Sequence, residues 1–292
     1  MERTVKIKVP DLILTADWHL RETQPTCRTD NFQEVQWDKV NQIKQMQEEY
    51  GCPVFHAGDL FDHWKPSPNL LSEAMKHLPD LFWTVYGNHD LPQHNLDLAY
   101  KRGVYTLIEA GKVKLLKSTH WGLLPENYSW RLFKDRKVLV WHVMSYQGKK
   151  PWPGCVDPSS ASLIRKYPDY QLIVTGHNHK SFVEEYEGRY LVNPGSITRQ
   201  DADQGDHVPC VYFYYAEDNT VKKVPLQYKD NVITREHIDH VKERNTRIDA
   251  FVSKLDDDWQ AGMSFEQNLE EFEKVNKIRS SVMEIVYKSI EL

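Results

Sequence analysis

Residues 12–20 have the sequence LILTADWHL, in which a short apolar run leads directly into an Asp-x-His pair. The same arrangement recurs in four further segments: PVFHAGD (53–59), LFWTVYGNHD (81–90), VLVWH (138–142) and LIVTGHNH (172–179). Short apolar runs rich in β-branched or aromatic residues are typical of strands that are buried on both faces. The five segments therefore predict five buried strands, each with polar residues at its end.

Helix-compatible stretches separate the earlier strands. They cover residues 31–50 and 69–78, so strand and helix alternate as in a layered α/β fold. Ligands in such folds collect beyond the carboxyl ends of the strands. Because every polar cluster lies at that edge, we expect residues that are far apart in sequence to converge on one site.

Seven side chains in these clusters are candidate metal ligands: Asp17, His19, Asp59, Asn88, His142, His177 and His179. They offer carboxylate, imidazole and amide donors without a thiolate, which argues against a closed structural zinc site. A catalytic pair of divalent metals is favoured instead, because two metals roughly 3.5 to 4 Å apart can clamp both reacting oxygens in a displacement at phosphorus. The clusters therefore predict a two-metal phosphoesterase site.

Individual roles follow for three residues, Asp59, His89 and Asp90. Asp59 is the expected bridge, since a metal pair needs a shared carboxylate. His89 is a candidate to protonate the leaving oxygen or to stabilise charge on the phosphoryl group. Asp90 is expected to hold the His89 ring in register.

The order of the motifs resembles that of the calcineurin-like metallophosphoesterases. The chain has D-x-H at 17–19, G-D-x-x-D at 58–62, G-N-H-D at 87–90, a lone His142 and G-H-x-H at 176–179, within a match from about Asp11 to Tyr228. The resemblance implies a four-layer α/β sandwich, with two facing mixed sheets flanked by helices. It also implies that Asp17, His19, Asp59 and His179 hold one metal and that Asp59, Asn88, His142 and His177 hold the other. Manganese is the metal that it favours, although the donors would accept iron, zinc or magnesium.

Within that superfamily, GDLFD (58–62) followed by Pro66-Ser67 looks most like the SbcD-type DNA repair nucleases. The turn at 193–196 (NPGS) agrees with this likeness. Nucleases of the group often have a histidine where this chain has Asp62, so His63, one residue later, is a candidate for substrate binding. The resemblance implies metal-dependent hydrolysis of phosphodiester bonds in DNA, as an exonuclease or endonuclease.

Two other functions remain compatible with the sequence. One is hydrolysis of a small-molecule phosphodiester or phosphomonoester, because the shape of the groove decides the substrate. The other is a binding scaffold of the same fold that has lost catalysis, although the complete ligand set and His89 count against it. A comparison of turnover on DNA and on an aryl phosphodiester distinguishes these alternatives.

The charge of the chain constrains the DNA hypothesis. Its 292 residues have a formal net charge of -5 and a pI near 6.2, which does not give the basic field expected of a protein that binds DNA phosphates. Cations beside aromatic rings are therefore the candidate substrate contacts, namely Lys65 beside Trp64 and Lys149-Lys150 near Trp152. Such pairs can bind phosphate and stack an unpaired base.

The cysteines and the amino terminus indicate an intracellular protein. The four cysteines have no C-x-x-C spacing and are expected to be reduced thiols. Residues 1–10 lack the apolar stretch of a signal peptide, and no run is long enough to span a bilayer. We therefore expect a cytoplasmic protein without a membrane partner.

The character of the sequence changes near residue 208. Residues 211–215 and 221–226 predict a closing β-hairpin, and charged, helix-compatible sequence follows Asp230. This change predicts a catalytic domain, residues 1–230, and a helical extension, residues 231–292. In the extension, Ile238, Val241 and Ile248 form part of an apolar seam around Asn245.

The extension is expected either to pack on its own domain or to bind a partner. A polar residue within an apolar seam can fix the register of paired helices, although this seam covers only about two and a half heptads, which is short for a coiled coil. The resemblance implies a cap that faces DNA or a docking segment for a coiled-coil ATPase of the SbcC type. Pairing with a second copy of the chain is the further alternative.

Overall fold

Strands and helices alternate through the first part of the chain, as the sequence predicts. The computed structural model describes residues 8–125, 131–258 and 265–290. The described strands are β1 (Leu12–Thr15), β2 (Val54–His56), β3 (Phe82–Thr84), β4 (Lys114–Leu115), β5 (Arg131–Phe133), β6 (Arg136–Trp141), β7 (Leu172–Thr175), β8 (Phe182–Tyr186), β9 (Arg189–Asn193), β10 (Cys210–Tyr215) and β11 (Thr220–Pro225). The described α-helices are α1 (Phe32–Tyr50), α2 (Pro68–His77), α3 (Gly103–Glu109), α4 (Ser160–Lys166), α5 (Glu236–Asp258), α6 (Phe265–Asn276) and α7 (Ser280–Ile290).

These strands form two mixed sheets. The six-stranded sheet has the order β11-β10-β1-β2-β3-β4, and the five-stranded sheet has the order β5-β6-β7-β9-β8. Strands β1 to β4 are parallel, as are β6, β7 and β9, and the remaining strands pair antiparallel at the sides. All five predicted strands therefore lie in the parallel parts, where their carboxyl ends face one edge of each sheet.

Alternation along the strands produces four layers. Leu12 and Leu14 of β1 share a buried core with Val138 and Val140 of β6, which packs the two sheets face to face. Ile13, between them, belongs instead to the core formed with the helices of the first sheet. Burial of each such aliphatic side chain contributes about 1.5–3 kcal/mol relative to exposure. The predicted four-layer α/β fold is confirmed.

Local signals explain where the first two helices begin. The side chain of Asn31 caps α1 by accepting a hydrogen bond from the Glu34 N–H at 3.4 Å, and Gly51 ends that helix with a φ of 63°. Ser67 caps α2 in the same way through Leu70 N–H at 3.0 Å, and Pro68 occupies its first turn. These are the residue types expected at such positions, and they fix the segments between the first three strands.

The chain divides into two units, Met1–Thr234 and Arg235–Leu292. The predicted hairpin is present as β10 paired antiparallel with β11, and the second unit consists of α5, α6 and α7 in its described residues.

Among the helices that the structure describes, none combines the length and apolar composition needed to span a membrane. All four cysteines are buried, and none is paired in a disulfide in the described residues.

Candidate metal centre

The seven predicted ligands follow five strands that end at the same edge. Asp17 and His19 follow β1, Asp59 follows β2 and Asn88 follows β3, while the remaining three follow β6 and β7 of the other sheet. Backbone hydrogen bonds join the first two loops, from Asp17 N–H to Gly58 O and from His19 N–H to Asp59 O, both at 3.1 Å. The fold thus brings residues from both sheets to one place.

The backbone is strained at four of these ligands. Asp17, His19, Asp59 and His177 have φ values of 51°, 44°, 58° and 76°, in the left-handed region that residues with a Cβ atom seldom adopt. Such conformations cost about 1–3 kcal/mol each and persist where surrounding structure enforces them, typically at functional sites. Here the sharp turns aim successive side chains inward directly after each strand ends.

Two glycines of the motifs are required by close packing. A Cβ atom at Gly87 would lie 2.1 Å from Asp59 Oδ1, and one at Gly176 would lie 2.4 Å from Ala57 O and 2.8 Å from His142 Nδ1. Any side chain at either position would displace a ligand or the loop that carries it. Gly87 therefore lets the loops after β2 and β3 approach each other within one sheet, and Gly176 lets the loop after β7 approach the β2 loop of the other sheet.

The first group of donors consists of Asp17, His19 and His179, whose ligand atoms all lie within 4.8 Å of one another. The Nε2 atoms of His19 and His179 are 3.1 Å apart. Asp17 Oδ1 accepts a hydrogen bond from His177 N–H at 2.9 Å, whereas Asp17 Oδ2 is buried with no hydrogen-bond partner. An unpaired buried carboxylate oxygen is costly, so a cation between these donors would satisfy it.

The second group consists of Asp59, Asn88, His142 and His177. His142 Nε2 lies 3.2 Å from Asp59 Oδ2 and 3.0 Å from Asn88 Oδ1, and His177 Nδ1 lies 2.8 Å from the same amide oxygen. His142 Nδ1 donates to Ala57 O at 2.7 Å, which directs its Nε2 atom toward the other donors. Asp59 Oδ2 is also 3.7 Å from His19 Nε2, so Asp59 lies between the two groups.

Burial and neighbouring charges shift the pKa values of the buried side chains in the centre. Burial lowers the pKa of His177 to about 4 and lowers the pKa of His19 well below its usual value. For His142, burial acts in the same direction, but Asp59, Asp17 and the Ala57 carbonyl together outweigh it and raise the pKa to about 9. Asp59 is itself held ionised, because His142 lowers its pKa against the effect of burial. A metal bound through His142 would therefore displace a proton.

These donors fit divalent metals. Carboxylate, imidazole and amide groups converge from two sides on Asp59, with ligand atoms preorganised and one of them unsatisfied, as a two-metal site requires. The fit applies to a class of ions and does not select one metal. The predicted arrangement, with Asp59 as the shared carboxylate, remains a prediction that metal analysis can test.

The expected role of Asp90 is wrong. Its carboxylate is fully buried and accepts hydrogen bonds from the backbone N–H groups of Asp59, Leu60, Phe61 and Gly87 at 3.0 to 3.4 Å. The His89 ring is oriented instead by Asp62, whose backbone oxygen lies 2.7 Å from His89 Nδ1. Asp90 therefore positions the loop that carries Asp59, and His89 depends on a neutral carbonyl.

The four candidate substrate residues have different environments. His63 is exposed, and its Nδ1 atom accepts a hydrogen bond from Lys65 N–H at 3.2 Å. Lys149 is exposed, as is the Lys65 side chain. Lys150, by contrast, donates from Nζ to Cys155 O at 2.8 Å, so it stabilises its own loop. Among the groups of potential metal ligands, Asp62 rather than His63 lies with His19 and His89.

Several residues around the metals were not assigned from the sequence. Arg21, Asp62 and Asp201 line a small pocket of about 140 Å³ together with His19, His89 and His179. Trp121 packs over His177 with ring centroids 4.8 Å apart. Arg21 and Asp62 lie two and three residues after predicted ligands, which was a usable signal. Trp121 and Asp201 have no such neighbour in sequence.

A larger cleft of about 540 Å³ adjoins the centre. His177 and His179 form part of its wall, and Lys180, Lys223 and several aspartates form other parts. Its volume is within the range of about 300–1,000 Å³ that is usual for ligand sites. The candidate centre therefore has space for a sizeable ligand group on this side.

Comparison with known proteins places the centre in a family context. The family model described as calcineurin-like phosphoesterase superfamily domain matches residues 11–214. Similar solved structures include an archaeal phosphodiesterase (15% identity, TM-score 0.42, 74% of this chain and 99% of that chain). Others are a putative 5′-nucleotidase from Staphylococcus aureus (13%, 0.47, 80% and 57%) and vacuolar protein sorting 29 from Cryptosporidium parvum (20%, 0.37, 76% and 100%). The family match spans all seven candidate ligands.

Proposed function

The chain belongs to the calcineurin-like phosphoesterase superfamily and is a phosphoester hydrolase of that type, and from this premise we propose that its substrate is DNA. The proposed reaction is hydrolysis of phosphodiester bonds by a DNA repair nuclease of the SbcD type. The resemblance of GDLFD (58–62), Pro66-Ser67 and the NPGS turn to that group supports the proposal.

The observation that carries the proposal is the cleft of about 540 Å³ beside His177 and His179. A phosphomonoester has an organic group on only one side of its phosphoryl group, whereas a phosphodiester in DNA has a nucleoside on both sides. The cleft can accept one of these nucleosides while the phosphate lies at the metals. Its volume therefore favours a substrate with at least one large group on the phosphate, and a DNA diester meets that requirement.

Local cations support binding of a polyanion by this acidic chain. Lys180 and Lys223 lie in the cleft wall, and the exposed Lys65 and Lys149 are further candidates. Asp201, Asp203 and Asp206 also line the cleft. We therefore propose a few separate phosphate contacts rather than a continuous basic track.

The chemistry uses the seven ligands and His89. Asp17, His19, Asp59 and His179 would hold one divalent metal, and Asp59, Asn88, His142 and His177 the other, with manganese proposed for both. Bound metals of this kind supply activated water and offset charge on the phosphoryl group. His89 Nδ1 is engaged by Asp62 O at 2.7 Å, which leaves Nε2 to donate a proton to the leaving oxygen.

The decisive experiment compares turnover on single-stranded DNA, duplex ends, an aryl phosphodiester and an aryl phosphomonoester, each with added manganese. We expect hydrolysis of DNA with a higher kcat/KM than either aryl ester. His89→Ala provides the control for contaminating nucleases, because it should abolish most of the activity on every substrate. Hydrolysis of only the aryl esters by the wild-type protein would support the small-molecule alternative. Absence of all hydrolysis would support the scaffold.

The second unit is proposed to bind a partner through α5. Val241 and Ile248 lie on either side of Asn245 in sequence, and they are 46% and 50% exposed, which is unusual for aliphatic residues at spacings that favour one helix face. A coiled-coil ATPase of the SbcC type is the proposed partner, with a second copy of the chain as the alternative. Sedimentation of the full chain tests the alternative: a monomer at micromolar concentration excludes the homodimer.

A further inference from the structure

Two histidines of the first donor group each have a carboxylate behind the ring. His19 and His179 face each other through their Nε2 atoms, 3.1 Å apart. On the far side of each ring, His19 Nδ1 lies 3.9 Å from Asp62 Oδ1, and His179 Nδ1 lies 3.7 Å from Asp201 Oδ2. In both histidines, therefore, Nε2 faces the other histidine and Nδ1 faces a carboxylate.

The outer nitrogens need these carboxylates. A histidine that binds a metal through Nε2 carries a proton on Nδ1, and that proton is normally donated to an acceptor, which fixes the ring and makes it a stronger ligand. His19 Nδ1 is buried without a hydrogen-bond partner. Asp62 is the carboxylate nearest to closing that bond, and its side chain is 32% exposed, so it retains freedom to move.

Arg21 holds the Asp62 carboxylate, and Gln204 orders the backbone from which the half-exposed Asp201 side chain extends. Arg21 Nη1 lies 3.4 Å from Asp62 Oδ2, and its Nε atom donates to Thr23 Oγ1 at 2.9 Å. Gln204, which is buried, accepts hydrogen bonds from the backbone N–H groups of Gln200 at 2.6 Å and Asp201 at 3.0 Å. Each carboxylate is therefore part of an ordered turn and not a chance neighbour.

The second donor group is built differently. Its ligands His142 and His177 share the neutral oxygen of Asn88, and the outer nitrogen of His142 faces the neutral carbonyl of Ala57 at 2.7 Å. Among the seven candidate ligands, the carboxylate in the second group is Asp59, which lies between the two groups. The first group has Asp17 as a ligand and two further carboxylates beyond its histidines, with Arg21 offsetting one charge.

From this asymmetry we infer that Asp62 and Asp201 are positioning residues for His19 and His179, and that they make the first metal position the tighter of the two. Additional negative charge and more basic imidazoles both favour a divalent cation there. The second position exchanges its metal more readily. This inference rests on the metal-dependent hydrolysis described above but not on DNA as the substrate.

The test measures manganese binding to the metal-free full chain by titration calorimetry and elemental analysis. The wild type should bind two ions with unequal affinities. Asp62→Asn and Asp201→Asn should each weaken the tighter site by about 10- to 100-fold, the usual effect of losing an outer partner of a metal-bound histidine, and leave the weaker site unchanged. Asp169→Asn is the matched control, because Asp169 is exposed and precedes β7, at the opposite end of that strand from His177.

Two further variants, each lacking a candidate ligand of one group, show which affinity belongs to which metal position. With Asn88→Ala, the remaining ion should be the tight one, and Asp201→Asn should still weaken it. With Asp17→Asn, the remaining ion should be weak and insensitive to Asp201→Asn. Urea unfolding of the metal-free proteins should give equal midpoints, since both carboxylates are partly exposed. Equal affinities in the wild type, or an effect of Asp62→Asn and Asp201→Asn no larger than that of Asp169→Asn, would overturn the inference. A protein that binds manganese as expected but does not cleave DNA would refute only the proposed substrate.

Discussion

His89 is the residue on which chemistry and binding can be separated. It is exposed at the pocket beside the metals, and its Nδ1 atom is bound to a backbone carbonyl, Asp62 O, rather than to a carboxylate. The carbonyl orients the ring, and Nε2 is the nitrogen that remains for proton transfer. The ring is therefore suited to giving up a proton during turnover.

His89→Ala should retain both metals while turnover falls by roughly 100- to 10,000-fold, the range typical of a positioned acid or base. Metal content and initial rates measured on the same preparation check this. His240→Ala is the matched control, since His240 is exposed, lies in α5 of the second unit and belongs to none of the donor groups. If metal content and turnover fall together in His89→Ala, His89 is a ligand instead.

His120 gives a prediction about pH. Its Nδ1 atom lies 2.9 Å from Tyr86 N and accepts that N–H, which requires a neutral ring, and burial lowers its pKa from 6.5 to about 4. The unfolded chain binds a proton below pH 6.5 that the folded chain binds only near pH 4. The contribution of His120 to stability is therefore complete above pH 6.5 and falls by about 1.4 kcal/mol per pH unit below it.

In His120→Asn, the amide oxygen can still accept the Tyr86 N–H but does not titrate. The loss of unfolding free energy between pH 7 and pH 5 should be smaller than in the wild type by roughly 2 kcal/mol. Urea unfolding of the metal-free proteins at both pH values measures the difference. Other buried histidines are common to both proteins and cancel. Identical losses in the two proteins would show that His120 does not carry this dependence.

At the scale of elements, the loops after β2 and β3 act as one unit. The Asp90 carboxylate accepts four backbone N–H groups, three of them from the loop that carries Asp59. Leaving a buried backbone N–H without its acceptor costs about 1–3 kcal/mol. One side chain after β3 therefore fixes a ligand after β2.

Asp90→Asn should lower the unfolding free energy by at least about 2 kcal/mol, because the amide offers one acceptor oxygen and turns an NH₂ group toward N–H donors. It should also weaken metal binding, since the Asp59 loop loses its support. Urea unfolding and elemental analysis measure the two effects. Asp97→Asn, at an exposed position, should change neither. A stable Asp90→Asn protein with a full metal complement would contradict this role.

The elements show which features a sequence can predict. The five strands and the convergence of the candidate ligands were predictable because hydrophobic patterning is local and parallel strands end at one edge. The roles of Asp90, Asp62 and Arg21 depend on where left-handed backbone turns point the side chains. Such turns cannot be predicted from a non-glycine residue such as His19, which has a φ of 44°. Asp201 reaches His179 only through the fold of the 201–204 turn. The difference in role between Lys149 and Lys150 likewise depends on the hydrogen bond from Lys150 to Cys155 within their loop.

At the scale of the whole molecule, a net charge of -5 makes each cation near the substrate important. If Lys65 and Lys149 each contact a phosphate, Lys65→Ser/Lys149→Ser should reduce the slope of log affinity against log salt by about 1.4 for single-stranded DNA, from about 0.7 per contact. Hydrolysis of an aryl phosphodiester should be nearly unchanged. DNA-binding isotherms at several salt concentrations measure the slope.

Lys44→Ser/Lys112→Ser removes the same charge elsewhere. Lys112 pairs with Asp80 before β3, at the edge opposite the metals, so this variant should keep the wild-type slope. An equal reduction in both double variants would indicate a general effect of net charge. No reduction in either would place the phosphate contacts elsewhere, and Lys180 and Lys223 would be the next candidates.

The seven candidate ligands come from both sheets, with Asp17, His19, Asp59 and Asn88 after strands of one and His142, His177 and His179 after strands of the other. A metal bound by residues of both sheets would hold the two sheets of the sandwich together. Any ion that binds only the folded chain adds stability with its concentration, about 2.7 kcal/mol at 100 times its Kd. Metal starvation would then shorten the lifetime of the protein as well as stop its chemistry, and a chelator would act on it as a mild denaturant.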